Sequence, residues 1–521
     1  MITEDQSAAI AFLSTIGDPP VERIDTHTAV VFLAGARALK LKRAVQFDYL
    51  DFSTAARRKA MCEAEVRLNR RTAPGLYRGV IAVTREPNGS LALGGSGTPV
   101  DWVIEMSRFD QEALFDRLAT QRGLDVALMP PLGAAIARFH TDAARRTDHG
   151  GREGMQWVVD GNAAGFAEHG IAAGALDASA CFRVTADTSV EIERTAALLD
   201  RRRQAGHVRQ CHGDLHLRNI VLLDGEPTLF DAVEFNDEIA CIDVLYDLAF
   251  LLMDLWRRGL PRHANAVWNA YLSDVGDLTG IDLMPLFLSC RAAVRTKTSV
   301  TAARVQPDAG KAEELRQTGR DYLAMAERLL HPEPPPLVAI GGFSGSGKST
   351  LARALAPSVG RPPGAVVVRS DEIRKRLCGV SPATRLDSDH YTPTVNARVY
   401  QTVAEHAATI IRGGQSVIAD AVYARPSDRL AIEQVAVKAG VPFVGLWLDV
   451  PEATLIQRAA QRRDDVSDAD GSVVRMQIAQ QVGEIAWHRV DASVTFDAVE
   501  QTVTTRLKHL LGESAGRRRA S

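Results

Sequence analysis

The stretch Gly342-Phe343-Ser344-Gly345-Ser346-Gly347-Lys348-Ser349 fits the pattern G-x-x-x-x-G-K-[ST] of a phosphate-binding loop. An apolar run (337–340) precedes it and a segment typical of a helix (350–355) follows, which is the context that this pattern requires. Glycines let backbone N–H groups point at phosphate oxygens, the helix N-terminus adds its positive dipole end, and the lysine supplies a movable cation. The alternative is a solvated Gly/Ser loop, for which the whole pattern and both flanks would have to agree by chance. We therefore expect a nucleoside triphosphate to contact Gly342, Ser344, Gly345, Ser346, Gly347, Lys348, Ser349 and Thr350, with Mg²⁺ on the Ser349 hydroxyl.

The same loop divides the chain. A nucleotide-binding fold of this kind opens on its first strand, yet roughly 330 residues precede this one, so they must form a separate unit. The 521 residues also exceed what one hydrophobic core usually supports. Prolines at 331–336 cannot continue a helix and favour an extended linker. The sequence predicts a domain over 1–330, a linker at 331–336, a phosphate-loop domain over 337–510 and a disordered tail at 511–521.

Composition narrows the class of protein. A formal net charge of -3 gives no sign of a polyanionic partner, so no nucleic acid is expected. The N-terminus lacks the basic and apolar pattern of a signal peptide, and the richest apolar run, 248–253, is far too short to span a bilayer. The 6 cysteines are scattered, without a C-x-x-C pair. These features favour a cytoplasmic protein without a membrane partner and leave the oligomeric state open.

Near the N-terminus, charged residues lie on predicted regular elements. Lys40 and Lys42 share one face of a strand, because strand side chains alternate. Glu63 and Glu65 lie on the next predicted helix. Such a lysine–glutamate pair holds nucleotide phosphates in kinases, although solvated charges on a strand edge and a helix face would give the same pattern. The predicted elements are strands over 29–34, 36–42 and 101–106 and a helix over 54–70.

A second group of polar residues lies between 211 and 231. Asp214 precedes Asn219 by five residues, and Asp231 ends the second of two short strands predicted around the turn at 224–227. Phosphoryl transfer needs a carboxylate that orients a hydroxyl, together with oxygen ligands that share Mg²⁺. The alternative is a turn in which Asp and Asn bond their own backbone.

The motif H-G-D-x-x-x-x-N at 212–219, followed by Asp231, resembles the aminoglycoside phosphotransferase family, which is similar to protein kinases in fold. The resemblance covers roughly residues 25–330. It implies that Asp214 is catalytic and that Asn219 and Asp231 bind magnesium. It also implies that Lys42 (or Lys40) contacts phosphate, with Glu65 (or Glu63) as its partner. No acidic cluster for a polycationic acceptor is seen at 150–180, so an antibiotic substrate is not expected.

Two further residues of this half receive structural interpretations. Asp247 belongs to a D-L-A motif whose aspartate is usually structural in the family that the chain resembles, and we expect it to cap a helix. His140 lies on a predicted helix with apolar residues at helical spacing. We expect it to be packed and hydrogen-bonded, and not catalytic.

After the phosphate loop, three apolar segments are predicted as parallel strands alternating with helices. Carboxylates follow them, which places ligands at the carboxyl edge of the sheet. The predicted strands cover 365–369, 416–419 and 443–448, and the carboxylates are Asp371, Asp420 and Asp449.

Arg458 and Arg462 lie four residues apart, on one face of a predicted helix. They could close over a triphosphate, or they could belong to an exposed basic helix. This half resembles the P-loop small-molecule kinases of the gluconate and shikimate kinase group and, through S-D-x-I-R at 370–374, the zeta toxin relatives. The resemblance implies that Asp371 activates the acceptor, that Arg374 contacts substrate, and that both arginines form a lid. Asp420 could support magnesium through water, and Asp371 could also cap its helix.

The sequence therefore predicts a bilobal protein-kinase-like fold followed by a P-loop parallel α/β domain. We expect two Mg–ATP sites that transfer phosphoryl groups to hydroxyls of small molecules. In one alternative, the P-loop part is an ATP-driven switch that regulates the first domain. In another, it is a kinase resembling zeta toxins.

Overall fold

The structure, a computed structural model, describes residues 3–17, 21–47, 49–331, 333–381, 384–460, 471–479 and 482–519. It contains two compact units, each formed by two stretches of chain. Unit 1 comprises the residues up to Gly161 and Ile192–Asp254, and unit 2 comprises Asn162–Glu191 and the chain from Leu255 onwards. The sequence-predicted domain boundaries stay a prediction. Spatial compactness groups the helices of 255–330 with the phosphate loop.

A six-stranded antiparallel sheet opens unit 1, in the order β1-β2-β3-β8-β6-β7. Leu39 and Leu41 point into an apolar cluster on one face of β3, so that Lys40 and Lys42 lie on the other face. The strands and helix predicted in this region are confirmed. The elements are α1 (Ser7–Leu13), β1 (Glu22–Asp25), β2 (Ala29–Ala34), β3 (Arg37–Lys42), β4 (Gln46–Phe47), β5 (Leu50–Asp51), α2 (Ala55–Asn69), β6 (Tyr77–Arg85), β7 (Leu91–Leu93) and β8 (Thr98–Ser107).

Helices and two short β-ladders complete the middle of the chain. The hairpin β10–β11 confirms the predicted strand-turn-strand, and β9 pairs antiparallel with β12. The long helix α6 runs from unit 2 into unit 1. The elements are α3 (Phe115–Thr120), α4 (Met129–Asp142), α5 (Gly151–Gly165), α6 (Ala178–Gln204), β9 (Val208–Gln210), β10 (Ile220–Leu223), β11 (Glu226–Leu229), α7 (Asp237–Ala240), β12 (Cys241–Asp243) and α8 (Val244–Arg257).

Unit 2 contains a five-stranded parallel sheet in the order β14-β15-β13-β16-β17, and its strands are rich in buried Val, Ile and Leu. The three predicted strands are confirmed as β14, β15 and β16. The elements are α9 (Pro261–Val275), α10 (Met284–Val305), α11 (Ala309–Leu330), β13 (Leu337–Gly341), α12 (Lys348–Leu355), β14 (Val366–Arg369), α13 (Ser370–Leu377), α14 (Pro393–Arg412), β15 (Val417–Asp420), α15 (Pro426–Ala439), β16 (Phe443–Asp449), α16 (Glu452–Ala460), α17 (Gly471–Ile478), β17 (His488–Asp491) and α18 (Phe496–Arg519).

Helix α18 extends into the predicted disordered tail. Its backbone is helical as far as Arg519, and Leu510 and Leu511 pack against the apolar cluster of the sheet. Of these two leucines, Leu511 lies just beyond the predicted end of the domain at residue 510. Among the helices of the described chain, none combines the length and apolar character needed to cross a membrane.

Candidate functional site

Both lysines of β3 contact one buried glutamate of α2. Lys40 Nζ lies 2.8 Å from Glu65 Oε1, and Lys42 Nζ lies 2.5 Å from Glu65 Oε2. The Glu65 side chain is 0% exposed. Glu63, the alternative partner, is 54% exposed and lies 3.8 Å from Lys59. The structure therefore brings Glu65 to the lysines and leaves Glu63 at the surface.

The two lysines differ in their second partner. Lys40 Nζ lies 2.6 Å from Asp231 Oδ1, whereas Lys42 Nζ lies 2.6 Å from Glu234 Oε1. Asp231 is 42% exposed and Glu234 only 5%. Lys40 thus reaches the predicted magnesium ligand, and Lys42 lies deeper in the protein. The geometry favours Lys40 for the phosphate contact, although the sequence placed Lys42 first.

The charges of this cluster stabilise one another. Burial lowers the pKa of Lys40, but the carboxylates of Asp231 and Glu65 outweigh it and raise the pKa well above its usual value. Burial likewise raises the pKa of Glu65, but the two lysines lower it to about 2. Glu65 is therefore a carboxylate at neutral pH, which an ion pair with a phosphate-binding lysine requires.

Asp214 and Asn219 lie together on the loop before β10. Asn219 Nδ2 donates to the Asp214 backbone oxygen at 2.9 Å and to Asp214 Oδ2 at 3.1 Å. Both contacts use the amide nitrogen, which leaves the amide oxygen for a cation. The Asp214 carboxylate is 42% exposed and lies 3.3 Å from His216 Nε2. An exposed carboxylate beside an ordered amide can orient an incoming hydroxyl.

Asp231 has an unusual backbone conformation, with φ at 63°. Tyr77 and Asn69 hold this turn, since the Asp231 N–H donates to Tyr77 Oη at 3.1 Å and the Ala232 N–H to Asn69 Oδ1 at 2.8 Å. Left-handed backbone is uncommon for residues other than glycine and concentrates at functional sites. The turn directs Asp231 towards Lys40. No pattern in the neighbouring residues predicted this conformation.

The interpretation of Asp247 as a helix cap is wrong. Asp243 caps α8, because its Oδ1 accepts the Leu245 N–H at 2.9 Å. Asp247 lies one turn further along the helix, fully buried, and its two oxygens accept the N–H groups of His212 and Gly213 at 3.0 and 2.9 Å. It therefore fixes the loop that carries Asp214.

His140 is packed and hydrogen-bonded, as predicted. The residue is 1% exposed, and its Nε2 lies 3.1 Å from Asp247 Oδ2. Glu234, by contrast, was not predicted. Its only signal in the sequence is its position three residues after Asp231.

In unit 2, the phosphate loop follows β13 and leads into α12, as its pattern requires. Gly345 has φ at 92°, and a Cβ there would lie 2.6 Å from the Leu455 backbone oxygen, so this position requires glycine. Lys348 Nζ donates to the Phe343 backbone oxygen at 3.0 Å. Gln477 of α17, which was not predicted, accepts the Ser344 N–H at 2.9 Å. The other residues predicted to contact the nucleotide, Gly342, Ser346, Gly347 and Thr350, lie in the same loop and at the start of α12.

The predicted magnesium ligands of this loop contact each other. Ser349 Oγ donates to Asp420 Oδ2 at 2.6 Å, at the carboxyl end of β15. A hydroxyl beside a carboxylate fits a hard cation such as Mg²⁺, which prefers oxygen ligands. Arg369, which was not predicted, lies against the pair. Its Nη2 donates to Ser349 Oγ at 3.1 Å, and its Nε is 3.4 Å from Asp420 Oδ2.

A cavity of about 260 Å³ lies above the phosphate loop. It brings the loop together with the predicted acceptor-activating Asp371 and the predicted lid residue Arg458. Helix α13 begins at Ser370, with Arg369 at the N-cap position, so Asp371 lies in the first turn and is not the cap. The predicted residues in the lining are Ser344, Gly345, Gly347, Lys348, Ser349, Thr350, Asp371, Asp420 and Arg458.

The predicted arginines have different environments. Arg374 is not among the lining residues. Its Nη1 donates to the His390 backbone oxygen at 2.9 Å, and its guanidinium lies 4.5 Å from the Tyr391 ring centroid. Arg458 lines the cavity and donates to the Ala492 backbone oxygen at 2.9 Å. Arg462 lies outside the described residues.

Solved structures similar to this chain include a choline/ethanolamine kinase family protein from Mesorhizobium loti. It has 14% identity and a TM-score of 0.37, and the match covers 62% of this chain and 94% of that one. A gluconokinase from Sinorhizobium meliloti has 20% identity and a TM-score of 0.26, and the match covers 36% of this chain and 98% of that one.

Two family models match the sequence. Residues 116–283 match the phosphotransferase enzyme family, and residues 337–483 match the AAA domain. An adenylyl-sulfate kinase from Myxococcus xanthus is 33% identical over 117 residues, which is 22% of this chain and 59% of that protein. The predicted fold class, a kinase-like domain followed by a P-loop α/β domain, is confirmed. The matches support a nucleotide-binding phosphotransferase.

One relative extends over nearly the whole chain. The uncharacterized protein Rv2004c of Mycobacterium tuberculosis is 31% identical over 503 residues, which is 91% of this chain and 93% of that protein. The chain therefore belongs to the family of Rv2004c, and within it a phosphotransferase stretch precedes a P-loop stretch.

Proposed function

We propose that the chain is a bifunctional ATP-dependent phosphotransferase with one Mg–ATP site in each half. Each site would transfer the γ-phosphoryl group of ATP to a hydroxyl of a small molecule. One observation carries the proposal: each half combines a cation for phosphate, an oxygen pair for Mg²⁺ and a carboxylate for the acceptor. A single ATP site would need only one of these sets.

In the first site, Lys40 would hold the ATP phosphates while Glu65 keeps its ammonium in place. Asn219 and Asp231 would hold Mg²⁺, which would neutralise negative charge on the ATP phosphates. Asp214 is 42% exposed, so it can orient the acceptor hydroxyl and take its proton. Catalysis would consist mainly of positioning and charge neutralisation.

In the second site, backbone N–H groups of the phosphate loop and Lys348 would bind the β- and γ-phosphates. Ser349 and Asp420 would hold Mg²⁺, directly or through water. Asp371 lines the same cavity and would activate the acceptor, while Arg458 would stabilise charge on the transferred group.

The proposal is tested by screening metabolites for an ATP-dependent gain in mass with the full-length protein. Asp214→Asn should remove one class of product and Lys348→Ala another. A product that needs both residues would indicate sequential phosphorylation of one metabolite. A protein that hydrolyses ATP slowly, without any mass gain that depends on Lys348, would favour the switch alternative. Products that survive in both variants would refute the proposed sites.

A further inference from the structure

Helix α9 is hydrogen-bonded to β14, an edge strand of the parallel sheet in unit 2. Strand β14 is an edge strand that pairs on one side with β15. Just before this strand begins, Asn265 Nδ2 donates to the backbone oxygens of Pro363 and Ala365, both at 3.0 Å. Asn269 Oδ1 accepts the Val367 N–H at 2.7 Å. The two asparagines therefore pair with one backbone group of the edge strand and with two in the segment just before it, and they fix α9 against β14.

The same face of α9 reaches the helix that follows β14. Positions 265, 269 and 273 lie four apart and share one face. Ser273 Oγ donates to Glu372 Oε2 at 3.1 Å. Glu372 Oε1 in turn lies 3.0 Å from Arg369 Nη1. The guanidinium of Arg369 contacts both predicted magnesium ligands, so the contacts run without a break from α9 to the phosphate site.

This arrangement has an electrostatic consequence. Arg369 is 6% exposed. Its guanidinium donates to Ser349 Oγ and forms an ion pair with Asp420, and these are the two residues that would hold Mg²⁺. A guanidinium and a divalent cation at the same oxygens repel each other, and the repulsion is strong where water is scarce. Glu372 offsets one positive charge and contacts Arg369 through Nη1, whereas Ser349 and Asp420 contact Nη2 and Nε. Ser273 holds the other oxygen of Glu372.

We propose that Glu372 is a positioning residue for magnesium. Held by Ser273 of α9, it keeps Arg369 in a place that allows Mg²⁺ to bind at Ser349 and Asp420. The inference rests on the proposed function of the P-loop site. It also assigns α9 a role in magnesium binding at that site, although α9 lies within the stretch that matches the phosphotransferase family.

The test measures ATP binding by calorimetry over a series of Mg²⁺ concentrations and in EDTA. Every sample is the full-length chain with Lys40→Met and Asp231→Asn, which weaken ATP binding at the first site and remove its predicted magnesium ligand. Glu372→Gln should raise the Mg²⁺ concentration for half-maximal enhancement of ATP binding about tenfold, equivalent to about 1.4 kcal/mol. Ser273→Ala keeps the negative charge of Glu372 but removes one of its hydrogen bonds, so it should raise this Mg²⁺ concentration only about threefold. ATP affinity in EDTA should not change with either variant.

Two controls separate positioning from a general effect. Arg262 lies on the same helix and contacts Glu500 at 2.6 Å on the surface. Arg262→Ala should therefore leave the Mg²⁺ dependence of ATP binding unchanged. In Arg369→Ala, the further change Glu372→Gln should have no effect, because Glu372 acts through Arg369.

Each unfavourable result has a separate meaning. The inference is overturned if neither Glu372→Gln nor Ser273→Ala changes the Mg²⁺ dependence. It is also overturned if the effect of Glu372→Gln persists without Arg369. If Glu372→Gln does not fold, Ser273→Ala decides alone. ATP binding that survives Lys348→Ala refutes the proposed P-loop site itself.

Discussion

Lys40 and Lys42 share Glu65, yet replacing each by methionine should have different consequences. Lys42→Met leaves Glu234, which is 5% exposed, without its ion-pair partner in a buried place. Breaking a buried pair by removing one partner costs about 3–5 kcal/mol of unfolding free energy. Lys40→Met leaves Glu65 paired with Lys42 and Asp231 in contact with water, so the cost should be about 1 kcal/mol.

These energies translate into distinct melting temperatures. For a domain of 150–250 residues, each kcal/mol lowers Tm by about 2–4 °C. Lys42→Met should therefore lower Tm by about 6–20 °C and Lys40→Met by about 2–4 °C. The ATP affinity of the first site should change in the opposite order. Lys40→Met loses a charged contact to phosphate and should weaken ATP binding about tenfold to hundredfold.

The assay combines thermal unfolding with ATP binding, both in a Lys348→Ala background that silences the P-loop site. Lys59→Met is the matched control, because Lys59 is 44% exposed and lies on α2 beside the surface residue Glu63. Adding Glu234→Leu to Lys42→Met should recover most of the lost stability, since it removes the unpaired buried charge. Equal Tm values for the two lysine variants, or a loss of ATP affinity in Lys42→Met alone, would refute this assignment.

Three further predictions concern residues of both sites. The pKa of Glu65 is lowered from 4.5 to about 2, so its contribution to stability is complete above about pH 4.5 and is lost as the pH falls towards 2. Acid titrations of the unfolding free energy should show a shallower loss for Glu65→Gln, and an unchanged slope would contradict the pairing. Asp247→Asn weakens the acceptor of two buried N–H groups, so it should lower the unfolding free energy by about 2–4 kcal/mol and abolish the activity of the first site. Denaturant unfolding and product formation measure the two effects. Full activity would show that other contacts fix the loop. In a background of Lys40→Met and Asp231→Asn, Ser349→Ala and Asp420→Asn should each abolish the Mg²⁺ enhancement of ATP binding at the P-loop site while ATP binding in EDTA persists. Retained enhancement would place the metal elsewhere.

Local patterns made much of the first site predictable. The alternation along β3 placed Lys40 and Lys42 on one face, and the H-G-D motif marked Asp214 and Asn219. The sequence named Glu65 before Glu63, and the structure brings Glu65 to the lysines while Glu63, on a different face of the helix, is exposed. The local sequence could not distinguish the two lysines, because both lie on one face of β3 and differ only in their tertiary partners.

Asp247 belongs to a motif of the family that the chain resembles, yet its predicted role as a helix cap was wrong. Its position near the start of α8 suggested a cap, yet the side chain points inward to the N–H groups of His212 and Gly213, 35 and 34 residues away in sequence. In the P-loop half, the sequence around Glu372 indicates only a charged residue in the first turn of a helix. Its contact with Ser273 joins residues 99 apart in sequence.

The sequence by itself determined the order of the elements, the phosphate loop and the aspartates at strand ends, because glycine conformation, side-chain alternation and strand polarity act over a few neighbouring residues. Only the tertiary structure decided which charges meet: Lys40 with Asp231, Lys42 with Glu234, and Arg369 with Ser349, Asp420 and Glu372. The energy of a charge depends on burial and on partners distant in the chain, and no local pattern specifies either one.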